Sequence, residues 1–256
     1  YITTDAASSI IGGSAAGEGN VISGNSTAGI GFASAAAAGN SVLGNIIGPQ
    51  ANGTSNVTSN AQLYGVNIGN ASVNNTIGNG VVAGRNIISA NLERGVYITF
   101  AGSNGNLVKG NYIGPSSALA SIAGSNQDYG VYISASARSN TIGGSAAGEA
   151  NTIAFNTVNG VFLMDPNTDF NKISRTPIYF NGTPVSMGKP INLNYTTGVN
   201  NDKAIPLITT ATTATVVGTT SAAGDIVEVF KNTTGECYDA VTFVGAATAD
   251  GSGNWS

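Results

Sequence analysis

The sequence predicts an all-β protein, and three observations support this prediction: the composition, an internal repeat and a series of short apolar runs. Only 9% of the 256 residues are charged, whereas 36 are glycine. Glycine and asparagine are poor helix formers, and the helix-favouring Leu, Glu, Lys and Arg are scarce, so an α-helical fold would form against local propensity. Ile and Val recur regularly along the chain, which argues against disorder.

The internal repeat is the decisive feature, because three segments align along their whole length. They are SIIGGSAAGEGNVISGNSTAGIGF from Ser9, NTIGNGVVAGRNIISANLERGVYI from Asn75 and NTIGGSAAGEANTIAFNTVNGVFL from Asn140, about 65 residues apart. Between them, GNSVLGNIIGP from Gly39 matches GNLVKGNYIGP from Gly105. A fixed period of this kind is typical of a solenoid.

Each repeat consists of apolar runs of three to five residues, and Gly or Asn follows nearly every run. One or two β-branched residues per run would face inward, and the polar residues would face outward. Gly and Asn suit corners at which φ is positive. We expect roughly three strands per turn, about 32 residues per turn and five to six turns, with each strand pairing in parallel with its equivalent one turn away. The predicted element is a right-handed parallel β-helix over residues 1–183.

Two sets of polar residues recur at equivalent places within the repeat. Asn25, Asn91 and Asn156 form the first set, and we interpret them as residues that satisfy backbone groups at corners. Glu18 and Glu149 match within GSAAGE, where the middle copy has Gly84 instead of a carboxylate. We therefore expect a structural role for these glutamates in a loop.

The carboxy-terminal part has a different pattern, because the NTIGG phrases stop. Pro184, Pro190 and Pro206 punctuate residues 184–206, which we interpret as a connector. Within residues 207–256, the segments 215–219, 226–230 and 241–244 alternate as antiparallel strands do. The sequence thus predicts a small, apparently incomplete antiparallel β-sandwich after the connector.

The NTIGG, GNVISGN, GNYIG and GVYI phrases resemble the right-handed parallel β-helix repeat proteins of bacterial secreted and cell-surface polypeptides, over roughly residues 1–181. The tail resembles the immunoglobulin-like module that often follows such β-helices, although it has about half of the roughly 100 residues that such a module needs. The resemblance implies an extracellular or cell-surface protein of bacterial type with a structural or adhesive role.

Two arrangements of the ends remain open. The chain begins within a GVYI-type phrase at Tyr1 and stops within an apparent strand at Trp255, so it is either a segment of a larger surface protein or a subunit of a self-assembling filament. The expected partners are copies of the chain or other surface-protein segments, which would bind the β-helix end and the unfinished sandwich.

The composition excludes several classes of function. The chain has no histidine and one cysteine, Cys237, so it has no Cys/His zinc site, no intrachain disulfide and no Ser-His or Cys-His catalytic pair. The net charge is −4, and the nine Lys and Arg residues are scattered, which argues against nucleic-acid binding. The sequence contains no run of about 18 apolar residues, so it predicts no transmembrane helix.

The same fold also carries enzymes that cleave acidic polysaccharides. Their hydrolase pattern needs a His and an Arg-x-Lys, which this chain lacks, and their lyase pattern needs a basic residue beside Ca²⁺-binding aspartates. The densest candidates are Asp165, Asp169, Lys172 and Arg175. Because Asp165 precedes Pro166, this segment is more typical of a turn with outward-facing charges. We therefore expect no catalytic residue, no metal and no cofactor, with Ca²⁺ implied only under the lyase alternative.

Tyrosines offer a further binding hypothesis. Five of them could form an aromatic strip for stacking on glycans if their positions align on one outer face; the alternative is packing in the core or at corners. The five are Tyr64, Tyr97, Tyr112, Tyr129 and Tyr132.

Overall fold

The computed structural model describes residues 2, 6–57, 62–125, 127–183, 186–194, 198–220, 222–232 and 239–256, with the side chains of residues 183, 186 and 187 left aside. Tyr1, Pro184 and Cys237, which the sequence analysis singles out, lie outside the described residues.

Three parallel sheets of six strands each make up the β-helix, with strands numbered in chain order. Sheet 1 contains β1 (Ile10–Gly12), β4 (Ser41–Leu43), β7 (Thr76–Ile77), β10 (Leu107–Val108), β13 (Thr141–Gly143) and β16 (Lys172–Ser174). Sheet 2 contains β2 (Val21–Ile22), β5 (Ile46–Ile47), β8 (Ile87–Ile88), β11 (Tyr112–Ile113), β14 (Thr152–Ala154) and β17 (Ile178–Tyr179). Sheet 3 contains β3 (Ala28–Phe32), β6 (Tyr64–Ile68), β9 (Arg94–Ile98), β12 (Tyr129–Ile133), β15 (Asn159–Leu163) and β20 (Ile191–Leu193).

Every strand pairs with its equivalent in the next turn, as the repeat predicts. In sheet 3, Val66 pairs with Val96, Val96 with Val131 and Val131 with Val161, so successive turns are 30 to 35 residues long here. The predicted parallel β-helix, with three strands per turn and six turns, is confirmed. Strand β20 belongs to the segment that the sequence analysis interprets as a connector, and it extends sheet 3 by one strand.

The two-turn period has a structural cause, because insertions alternate between the corners. Residues 13–20, 78–86 and 144–151 form longer connections between sheets 1 and 2 in every second turn. The intervening turns instead carry long connections between sheets 2 and 3, at residues 48–63 and 114–128. Each 65-residue unit therefore contains one turn of each kind.

The core of the β-helix is a stack of aliphatic side chains that point inward from all three sheets. One row of sheet 3 contains Ile68, Ile98, Ile133 and Leu163, each fully buried. Rows of Ile and Val from sheets 1 and 2 face it, including Ile77, Ile88, Ile113, Ile142 and Ile153. Full burial of such a side chain contributes about 1.5–3 kcal/mol. The β-branched residues of the repeat thus form one continuous core along the axis.

The tight corners of the β-helix need residues with positive φ, and Gly78 shows why glycine recurs at these positions. Its φ is +79°, and a Cβ atom would lie 2.0 Å from the carbonyl oxygen of Lys109. Bulky residues take the same conformation at a few corners, with φ of +59° at Phe155, +57° at Phe170 and +50° at Phe180.

The carboxy-terminal module is antiparallel, as predicted. β22 (Val216–Thr219) pairs with β21 (Leu207–Ala211) and β25 (Asn254–Trp255), and β23 (Ile226–Lys231) pairs with β24 (Thr242–Thr248). Its small core contains Val227, Ala249 and Trp255. A short hairpin, β18 (Gly182–Thr183) and β19 (Ser186–Met187), precedes β20. Within the described ranges, no helix has the length and apolar character needed to cross a bilayer.

Candidate functional site

Three ladders of amide side chains run parallel to the axis, one at each of three corner positions, and their inner members are buried whereas Asn20 and Asn25 at the first turn are exposed. The first ladder precedes sheet 1 and contains Asn40, Asn75, Asn106, Asn140 and Asn171. The second ladder precedes sheet 2 and contains Asn20, Asn45, Asn86, Asn111 and Asn151. The third ladder follows sheet 2 and contains Asn25, Gln62, Asn91, Gln127, Asn156 and Asn181.

Most amides of the first and second ladders also satisfy backbone groups, and Asn106 illustrates the geometry. Its Oδ1 accepts from the backbone N–H of Asn75 at 3.0 Å, and its Nδ2 donates to the carbonyl oxygen of Ser72 at 3.2 Å. The same Nδ2 continues the ladder by donating to Oδ1 of Asn140 at 3.0 Å.

Asn156 fits the interpretation of Asn25, Asn91 and Asn156 as backbone-satisfying corner residues, because its Nδ2 donates to the carbonyl oxygen of Ala154 at 3.2 Å. The amides of Asn25 and Asn91 bond to other side chains of the ladder instead.

The corner prediction assigned positive φ to Gly and Asn alike, and it holds for Asn70, Asn74 and Asn167, whose φ values are +52°, +56° and +65°, but not for the asparagines of the ladders. In the Gly-Asn pairs Gly39-Asn40 and Gly105-Asn106, only the glycine has positive φ, at +66° and +68°. The asparagine next to it keeps a negative φ, and this directs its side chain along the axis into the ladder.

Two members of the third ladder, Gln62 and Gln127, are absent from the sequence interpretation. They return the chain to sheet 3 after the long connections, and their amides take the place that Asn25, Asn91 and Asn156 take in the other turns. A signal was present, since both stand two residues before a Tyr-Gly-Val phrase.

Aromatic and arginine side chains form a cluster on the outer face of sheet 3, which we call the aromatic platform: Tyr64, Arg94, Tyr97, Tyr129, Tyr132 and Phe162. Adjacent ring centroids lie 5.0 to 5.5 Å apart, and the planes of Tyr129 and Phe162 are stacked at 16°. Of the five predicted tyrosines, the structure brings four together here. Tyr112 lies instead on sheet 2, where the Arg85 guanidinium stands 4.2 Å from its ring centroid.

Arg94 lies at the centre of the platform. Its guanidinium carbon is 4.3 Å from the ring centroid of Tyr97 and 4.4 Å from that of Tyr132, which are cation–π distances. It also forms an ion pair with Glu93 at 3.1 Å, so the platform carries no net charge from these two residues. Burial is the main cause that raises the pKa of Tyr132 to about 12, and burial likewise raises the pKa values of Tyr64 and Tyr129. All three phenols are therefore neutral hydroxyl groups at physiological pH.

The four charged residues of the lyase alternative each have separate surroundings. The Asp165 carboxylate accepts from the backbone N–H of Ala135 at 3.1 Å. The Asp169 carboxylate accepts from the backbone N–H of Asn201 at 2.8 Å and lies 3.8 Å from the Arg138 guanidinium.

Lys172 and Arg175 lie further along, on and just after β16. Lys172 is exposed at the start of that strand. The Arg175 guanidinium donates to the carbonyl oxygen of Ser145 at 2.8 Å and stands 4.9 Å from the ring centroid of Phe243 in the carboxy-terminal module.

The two repeated glutamates hold their loops, as expected. An Oε2 atom of Glu18 accepts from the backbone N–H of Ala15 at 2.8 Å, and Oε2 of Glu149 accepts from Ala146 at 3.0 Å. Glu149 also accepts from Lys109 Nζ at 2.9 Å.

Among the described residues, no group of three or more Asp, Glu, Cys or His side chains is arranged to hold a metal ion. Comparisons of the chain with protein-family models, with curated proteins and with solved structures gave no significant match.

Proposed function

We propose that this chain is a rigid structural shaft of an extracellular protein and performs no catalysis. The observation that carries the proposal is the set of three amide ladders, which link all six turns of the β-helix alongside the apolar core. Each ladder adds side-chain hydrogen bonds parallel to the axis, in the direction in which a shaft bears load. Since a buried polar network that is fully hydrogen-bonded rigidifies a structure, this arrangement suits a spacer.

Two further features support the proposal. Three of the four residues that a polysaccharide-cleaving site would need, Asp165, Asp169 and Arg175, are engaged in local contacts with backbone groups, with Arg138 or with Phe243. The low content of charged residues leaves a surface of Asn, Ser, Thr and Gly, which suits an extracellular repeat protein.

Single-molecule force spectroscopy tests the shaft. The chain is pulled through tags at its two termini, and we expect resistance followed by stepwise loss of whole turns, because each turn is bonded only to its neighbours. Unfolding of the β-helix at forces typical of an isolated loop would contradict the proposal. Release of soluble fragments from a panel of polysaccharides by the pure protein would contradict the non-catalytic part.

Electron microscopy of the native material distinguishes the two structural settings. Separate rods indicate a segment of a larger surface protein, whereas filaments with an axial repeat indicate self-assembly of copies of the chain.

A further inference from the structure

The aromatic platform occupies two outward-facing rows of sheet 3. The first row contains, turn by turn, Gly31, Asn67, Tyr97, Tyr132, Phe162 and Asn192. The second row contains Ala28, Tyr64, Arg94, Tyr129 and Asn159. In the first row the aromatic residues occupy three consecutive middle turns, and in the second row Arg94 lies between Tyr64 and Tyr129.

The fold itself does not require aromatic residues in these rows. Gly31, Asn67 and Asn192 occupy the same row in strands that pair normally, so small and polar residues satisfy the backbone geometry equally well. Tyr132 is 8% exposed, and the other rings of the platform are half-buried, yet they cover the outside of the sheet rather than its core. A contiguous aromatic surface on the outside of a soluble domain is typical of a binding site.

We propose that the aromatic platform binds an uncharged polysaccharide whose sugar rings lie against the half-buried rings of Tyr97 and Phe162, with the polysaccharide chain parallel to the β-helix axis. This inference rests on the proposed function as a shaft and extends it, because a shaft that binds a polysaccharide is adhesive.

Spacing is the first argument for a polysaccharide. Neighbouring parallel strands lie about 4.7–4.9 Å apart, and the platform's ring centroids lie 5.0 to 5.5 Å apart. This repeat is similar to the length of one pyranose ring in an extended polysaccharide, so each sugar would meet the aromatic residue of one turn.

Chemistry is the second argument. Tyrosine presents an apolar ring together with a hydroxyl group, which suits the apolar face and the polar rim of a sugar. Asn67 and Asn192 lie in the first row, on either side of its aromatic residues. The Oδ1 atoms of their side-chain amides have no hydrogen-bond partner among the described residues. These amides can rotate to accept from sugar hydroxyl groups.

Charge is the third argument and selects neutral over acidic polysaccharides. Arg94 is the cation of the platform, and Glu93 already neutralises it at 3.1 Å. The nearby Asp128 carboxylate accepts from Thr157 Oγ1 at 2.8 Å and adds negative charge beside Tyr129. A polyuronate would therefore meet repulsion without a free cation to offset it.

Affinity gel electrophoresis with xylan, hydroxyethylcellulose and galactomannan, and with polygalacturonate as the acidic polymer, tests the proposal. The intact chain is compared with the double variant Tyr97→Asn/Phe162→Asn. Both substitutions introduce asparagine, the residue that already occupies this row at Asn67 and Asn192. The variant Tyr112→Ala is the matched control, because Tyr112 also lies on the outer surface beside an arginine but belongs to sheet 2. Circular dichroism verifies that both variants are folded.

We expect at least one neutral polysaccharide to retard the intact chain, the double variant to bind it about tenfold more weakly, and Tyr112→Ala to bind it as the intact chain does. Three results would overturn the proposal: no retardation by any of the three neutral polymers, equal retardation of the double variant, or retardation by polygalacturonate alone. If the double variant is unfolded, the single variant Tyr97→Asn replaces it under the same criteria. Each of these negative results leaves the force measurement on the shaft unaffected, so failure of the two proposals is distinguishable.

Discussion

Most asparagines of the first and second ladders stabilise the corners of the β-helix because their amides bond to backbone groups of the preceding turn. Asn45, for example, donates to the carbonyl oxygens of Ile11 and Leu43 and accepts from the backbone N–H of Asn20. Buried backbone groups without partners are costly, and a tight corner leaves several of them outside the strand ladders. The Asn-rich composition is thus a consequence of corner geometry repeated in every turn.

We predict that Asn106→Ala destabilises the protein by roughly 2–4 kcal/mol, because it leaves the N–H of Asn75 and the carbonyl of Ser72 buried without side-chain partners. Urea denaturation followed by circular dichroism measures the change. Asn67→Ala is the control: Asn67 lies on the outside of sheet 3, its Oδ1 has no partner among the described residues, and we expect a change below about 1 kcal/mol. Equal losses in the two variants would contradict the ladder argument.

Glu149 gives a pH-dependent prediction. Hydrogen bonds from Lys109 and then from the backbone of Ala146 hold the pKa of its carboxyl group below the ordinary value of 4.5. A lowered folded-state pKa contributes stability that is present above the unfolded-state pKa and is lost as the pH falls through the folded-state pKa. Glu149→Gln should therefore reduce stability at pH 7, by at most about 1 kcal/mol for this partly exposed pair, and should match the original protein at the acid end of a series of melting curves.

The control for Glu149 is Glu18→Gln. Glu18 holds the equivalent loop in the first repeat but forms no ion pair with any of the described lysines or arginines. We expect a smaller difference between Glu18→Gln and the original protein at pH 7. A larger effect at Glu18 than at Glu149 would show that the lysine contributes nothing.

At the scale of elements, the sequence predicted the strands and their pairing but not every ladder member. Regular Ile and Val with corner glycines are local signals, and the period then dictates which strands pair. The sequence analysis did not identify Gln62 and Gln127 as ladder members. They follow connections of 14 and 13 residues that begin at Gly48 and Gly114, so the alignment of repeated phrases did not place them beside Asn91. Prediction of the aromatic platform also requires the register of the strands, because only parallel pairing in this register places Tyr97, Tyr132 and Phe162 in one row.

The third ladder yields a prediction at this scale. Gln127 accepts from Nδ2 of Asn91 and donates to Oδ1 of Asn156 at 2.7 Å. In Gln127→Glu, an ionised carboxylate cannot donate to Asn156 and lies fully buried, so we expect a loss of about 3–5 kcal/mol at pH 7. Burial raises the pKa of such a carboxyl group, so the loss is small below about pH 4 and grows as the pH rises towards the raised value.

Thermal melting between pH 3 and pH 8 measures this effect. Gln50→Glu provides the comparison, because Gln50 is exposed on the long connection and its Nε2 donates to the carbonyl of Asn56 at 2.8 Å. We expect less than about 1 kcal/mol of change there at any pH. A pH-independent loss in Gln127→Glu would indicate that packing, and not the ladder hydrogen bonds, governs this position.

At the scale of the whole molecule, the carboxy-terminal module packs against the last turns of the β-helix. The Glu228 carboxylate of β23 accepts from Ser174 Oγ and from the backbone N–H of Arg175, both at 2.6 Å. Ile178 forms an antiparallel bridge with Ala240, and the Phe180 N–H donates to Asp239 at 2.9 Å. The sequence predicted two regions but could not predict these contacts, because Glu228 has no repeat counterpart to mark it. These contacts join the β-helix to the module.

The last prediction concerns this junction, and the readout is hydrogen exchange at the amide of Arg175. In Glu228→Ala the amide loses its carboxylate acceptor, and we expect its exchange to accelerate roughly tenfold to a hundredfold, since two charge-assisted hydrogen bonds are removed. Asp250→Ala is the matched control in the same module, where Asp250 accepts from the backbone of Ser252 and Asn254 at 2.8 and 2.9 Å. It should speed exchange at Asn254 and leave Arg175 protected. If exchange at Arg175 is unchanged in Glu228→Ala, the module is attached through other contacts, and the β-helix and module would then transmit force independently of this carboxylate.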